Sequence, residues 1–70
     1  MISPEMEFHC YNTDIVMYVD DDGMYRVVKS FTDKPGDSIL VGTVLERDDA
    51  AWLFSHETAK LVRRWELTVD

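Results

Sequence analysis

The chain reads as an α+β domain, an antiparallel sheet of four strands (five if the tail joins it) with one α-helix packed on one face. Three observations predict this. Apolar residues alternate with polar ones in several short stretches between Met6 and Glu46. Turn residues separate those stretches, with Asn12-Thr13-Asp14, Asp21-Asp22-Gly23 and Pro35-Gly36 as the punctuation. After Asp49 the apolar period changes from about two to about 3.6.

Met6 to Tyr11 suits a half-buried first strand, with Met6, Phe8 and Cys10 pointing one way and Glu7, His9 and Tyr11 the other. A second strand runs from Ile15 to Val19 or Asp20, and a third, β-branched and aromatic, from Met24 to Phe31. The turn between them sets their register. A three-residue loop of Asp21, Asp22 and Gly23 gives the left-handed position to glycine, which has no Cβ to clash there. It pairs Val19 with Tyr25, Met17 with Val27 and Ile15 with Lys29, leaving Val16, Tyr18, Arg26 and Val28 on the reverse face. A two-residue Asp22-Gly23 loop would pair Val19 with Arg26 and mix the faces, so the longer loop is preferred.

Pro35-Gly36 places proline at the second turn position and glycine at the third. The fourth strand, Ile39 to Glu46, is almost continuously apolar, which predicts at least partial cover on both faces. Gly42 within it marks a bulge or a close approach by another element. Asp48 or Asp49 then caps a helix from Ala50, and Lys60, Arg63 and Arg64 supply a basic last turn. At 100° per residue Ala51, Phe54, Thr58, Leu61, Val62 and Trp65 form the predicted core stripe, with Leu53 well outside it. Trp65, Leu67 and Val69 alternate, so the tail reads as a short strand.

Seventy residues make one domain, and a chain of this size buries only ~60% of its unfolded surface, so a second copy or a partner would help it. Cys10 is the sole cysteine and no internal disulfide can form. The opening residues lack the basic and apolar regions of a secretory signal, and no stretch is long and apolar enough to span a membrane. These features predict a cytoplasmic protein.

The net charge is -7, from 14 acidic and 7 basic residues. Residues 1–46 carry nine acidic and three basic side chains, against five and four in residues 47–70. That sign repels a phosphate backbone and attracts basic protein surfaces, which argues against direct nucleic-acid binding.

Tyr18-Val19-Asp20-Asp21 resembles the Y-x-D-D hairpin of reverse transcriptases, in which two carboxylates hold magnesium for nucleotidyl transfer. The likeness covers four residues and lacks that family's third aspartate, so the stretch reads as an acidic hairpin tip. Calcium-loop spacing is also absent, and His9 and Cys10, as strand neighbours, face opposite sides. No metal site or cofactor is expected. With no nucleophile beside a base and no phosphate-cradling glycine loop, the sequence reads as non-enzymatic.

Two classes of function remain as expectations. In the first, the chain is an acidic protein-binding module that blocks a cationic, nucleic-acid-handling partner by steric occlusion and nucleic-acid mimicry. Asp20, Asp21, Asp22, Asp33 and Asp37 would carry the electrostatics and Trp52 the apolar anchor. Small acidic phage proteins that inhibit host restriction or CRISPR machinery are similar in size and charge. In the second, the chain is an oligomeric accessory subunit, with Trp52, Leu53 and an edge strand buried in a homodimer and the acidic turns merely solvated.

Overall fold

The computed structural model describes residues 4–34 and 36–68, with side chains through Arg64. Four strands are followed by one helix: β1 (Pro4–Cys10), β2 (Thr13–Val19), β3 (Tyr25–Phe31), β4 (Ser38–Val44) and α1 (Arg47–Thr68). The sheet is an antiparallel meander in the order β1-β2-β3-β4. Short connections leave no alternative, because each strand can only fold back beside its predecessor.

The β2–β3 register is the expected one: Val19 faces Tyr25, Met17 faces Val27 and Ile15 faces Lys29. Gly23 sits at φ 82°, and Asp20 and Met24 close the three-residue loop through a backbone hydrogen bond of 2.9 Å. The turn before β2 is tighter than expected. Cys10 pairs directly with Thr13, so Tyr11 and Asn12 alone make the loop and Tyr11 takes φ 56°. At the next turn Gly36 has φ 95° and the Asp37 amide donates to the Lys34 carbonyl at 3.1 Å; Pro35 lies outside the described residues.

Ile15, Met17 and Val27 are fully buried from the two central strands, where they meet Ala50 and Phe54 of α1. Met6, Phe8, Tyr25, Val41, Val44, Leu53 and Leu61 pack around them. The helix therefore covers one face, while Val16, Tyr18, Arg26 and Val28 lie half-buried on the other.

Gly42 marks both of the features that its place in a strand suggested. The β3–β4 register slips between Val27 and Val28, which face Gly42 and Leu40, so Val41 is the extra residue of a bulge. A Cβ on Gly42 would lie 2.6 Å from Leu53 Cδ2, so the bare backbone is what admits the Leu53 side chain.

Four expectations are corrected. β4 is an edge strand that stops at Val44, short of the expected Glu46, and Ile39 and Leu40 are 51% and 56% exposed, so its two faces are covered only in part. The helix starts at Arg47, with the Ala50 amide donating to the Glu46 carbonyl; Asp48 and Asp49 sit in the first turn, where the macrodipole favours them, rather than at the cap.

The helix also runs on to Thr68. Residues 65–68 are thus helical, with no glycine or proline to stop propagation, and Lys60, Arg63 and Arg64 are not its last turn. The sheet has four strands and no fifth among the described residues; Val69 lies outside them. Finally, the buried stripe of α1 is rotated. Ala50, Leu53, Phe54, Glu57 and Leu61 face the sheet, Ala51 and Thr58 are half-buried, and Val62 is exposed. Trp65's side chain is outside the described residues.

Glu57 enters this stripe because two lysines accompany it. Its side chain is 11% exposed, with Lys29 Nζ at 3.9 Å and Lys60 Nζ at 3.3 Å. A carboxylate against a core is tolerated when cations replace the water it loses.

Candidate protein-contact surface

The acidic tip begins with the turn that Gly23 permits. The Asp21 amide donates to Asp20 Oδ1 at 2.8 Å and the Met24 amide to Asp22 Oδ1 at 2.9 Å, so two of the three carboxylates brace their own loop. The same two hold Arg26. Arg26 Nη1 lies 2.9 Å from Asp20 Oδ2, and Nη2 lies 2.8 Å from Asp22 Oδ2.

Position makes this possible. Tyr18 and Arg26 are cross-strand partners on the reverse face, and Asp22 stands four residues before Arg26 across the turn. Asp21 is exposed, and of the three tip carboxylates its own is the one that takes part neither in bracing the loop nor in the arginine clamp.

The Arg26 guanidinium, ahead of the Met24 amide, holds the Asp22 carboxyl down from its ordinary 3.8 to about 2. Because the folded value is the lower one, this pairing favours the folded state above the ordinary carboxylate range and is lost as pH falls from 3.8 toward 2. In Arg26→Gln the Asp22 midpoint should return toward 3.8, read from its carboxyl carbon shift in an NMR titration. An unmoved midpoint would show that the arginine is not its partner.

Asp33 and Asp37 lie elsewhere. Asp33 accepts a hydrogen bond from Asn12 Nδ2 at 3.1 Å, and Asp37 is exposed just before β4. Both are at the opposite end of β3 from Asp20, Asp21 and Asp22. A strand of this length at ~3.3 Å per residue sets the two acidic groups about 20 Å apart. The five aspartates thus form two groups and no single array.

Trp52 is 66% exposed, and its ring stacks on His56 with centroids 5.0 Å apart and planes 7° apart. Leu53, by contrast, is turned into the Gly42 gap and is not available beside it. An open depression of about 280 Å³ lies near the Asp33 end, lined by Thr13, Phe31, Asp33, Lys34, Leu61 and Arg64 among others.

One further pair was not anticipated from the sequence. His9 Nδ1 and Asp14 Oδ1 are 2.6 Å apart on the reverse face, and that hydrogen bond raises the His9 pKa. Their cross-strand register follows from the Tyr11-Asn12 loop, so a correctly counted turn would have found it. Among the described residues, no three His, Cys, Asp or Glu side chains converge as metal ligands.

The fold and surface define a class: a small acidic meander with a single covering helix. Compared with family models, curated proteins and solved structures, the chain matches none. No described helix is long and apolar enough to cross a membrane.

Proposed function

We propose that this chain is a protein-binding module that occupies a cationic surface of a nucleic-acid-handling partner and blocks it, in the manner of small phage-encoded inhibitors. The observation that carries the reading is the braced tip. Arg26 fixes Asp20 and Asp22, which leaves Asp21 held outward on a stiffened turn in a chain of net charge -7.

Asp37 offers a second exposed carboxylate at the far end of the sheet, about 20 Å away by strand length. Two anionic points at that separation suit a basic groove more than a single cation. Long-range attraction would speed association, and Trp52 supplies the apolar area that slows release.

The test is capture from a native host lysate at rising salt, followed by binding kinetics on the purified partner. A basic nucleic-acid-handling protein should be captured, released as salt rises, and displaced by nucleic acid. Asp21→Lys with Asp37→Lys should weaken binding at least about tenfold, mainly through the on-rate. Binding indifferent to salt and to both reversals would remove electrostatic blocking from the mechanism.

A further inference from the structure

We propose that the depression between the second half of α1 and the adjoining ends of β2 and β3 binds a small organic anion, one negatively charged head on a flat apolar body. The inference stands apart from the partner-blocking reading, which rests on Asp21 and Asp37. Its basis is a local reversal of charge in an acidic chain.

Element lengths make the depression. A 22-residue helix is about 33 Å long and a seven-residue strand about 23 Å, so α1 outruns the sheet it covers. Ala50 and Phe54 seat its first half on the core. Leu61 and Arg64 of its second half then line a space of about 280 Å³ with Thr13 and Phe31, cross-strand partners at the end of the sheet. A smaller hollow of about 110 Å³ shares Leu61 and Arg64 and runs along Lys29, Glu57 and Lys60.

Four of the chain's seven basic residues, Lys29, Lys34, Lys60 and Arg64, line this trough, against two acidic ones, Asp33 and Glu57. The local balance is +2 in a chain of -7. Both carboxylates are already engaged. Glu57 lies between two lysines, 3.9 Å from Lys29 Nζ and 3.3 Å from Lys60 Nζ, so one negative charge is shared by two positive ones. Asp33 accepts from Asn12 Nδ2, while Lys34 joins no ion pair among the described residues. Cations elsewhere differ: Arg26 is clamped by Asp20 and Asp22, and Arg47 is followed by Asp48 and Asp49. A concave wall of one sign over apolar side chains focuses its field and draws counter-ions from solution.

The lining sets the ligand's chemistry. Phe31 and Leu61, both half-buried, offer apolar surface, and Lys34 and Arg64 offer charge in the same depression. An ammonium and a guanidinium fork together suit carboxylate or phosphate oxygens. A volume of about 280 Å³ is near the lower end for ligand sites, which limits the occupant to about one ring and one head group. An inorganic anion would leave the apolar walls wet, and a neutral ring would leave the cations uncompensated.

The test is a proton–nitrogen NMR titration of the full chain with phenyl phosphate, and separately with inorganic phosphate and with phenol. Saturable shifts should appear at the amides of Thr13, Phe31, Lys34 and Leu61, with phenyl phosphate binding at least about tenfold more tightly than either fragment. Lys34→Gln with Arg64→Gln should weaken binding at least about tenfold, whereas Arg47→Gln, which removes a positive charge at the other end of the helix, should change it less than about twofold. Shifts that fail to saturate by ~10 mM, that spread evenly over all basic residues, or that inorganic phosphate matches at equal affinity overturn the proposal. So does an affinity unchanged in the double variant; should that variant not fold, the shift map and the fragment comparison on the unaltered chain still decide.

Discussion

Ile15→Ala should destabilise the domain by about 2–5 kcal/mol, the usual cost of emptying a fully buried aliphatic site. Ile15 is fully buried on β2, in the cluster that joins the sheet to Ala50 and Phe54 of the helix. Ile15, Met17 and Val27 are the only fully buried large side chains among the described residues, so few neighbours can move in to fill the hole. A chain of this length has roughly 4–10 kcal/mol of stability in all. The substitution therefore removes a large share of it. Urea denaturation should show a lower midpoint at an unchanged slope; a loss under about 1 kcal/mol would mean that the helix is not seated on this cluster.

Gly42→Val sets two rules against each other. Strand propensity alone favours valine over glycine by up to ~1 kcal/mol. Packing predicts the opposite sign, because the first added carbon would lie 2.6 Å from Leu53 Cδ2. Gly42 has no positive φ, so its backbone imposes no strain of its own and the contact decides. We expect a net loss of about 1–3 kcal/mol, typical of an overfilled core. Leu53→Ala should relieve it, and the double variant should be less destabilised than the sum of the single ones by at least about 0.5 kcal/mol. A stabilised Gly42→Val chain, or strict additivity, would show that the leucine is free to swing away.

Much of the sheet was legible because its rules are local. Gly23 needs a left-handed position, a three-residue loop supplies one, and period two then forces Met17 opposite Val27. The acidic tip was half legible. Asp20, Asp21 and Asp22 read as a displayed run of charge, whereas the structure engages two of them with Arg26. The signal was present, since the expected register already put Arg26 opposite Tyr18, two residues before Asp20. Trp52, which the sequence offered as an apolar anchor, is exposed.

The helix was misread by one turn of reasoning. The helical period placed Val62 in the core stripe and left Leu53 outside it. The fold chose otherwise, because a glycine on β4 makes a slot for Leu53, while Lys29 on β3 and Lys60 on the helix offset the burial of Glu57.

By itself, then, the sequence determined the order of elements, the β2–β3 register and the excess of negative charge. Each depends on neighbours in the chain: turn residues, period and composition. Only the tertiary structure decided which side of the helix is buried and how much of β4 it leaves exposed. Those outcomes are set by contacts between residues distant in sequence, such as Gly42 with Leu53 and Lys29 with Glu57, whose energies appear only once the layers are stacked.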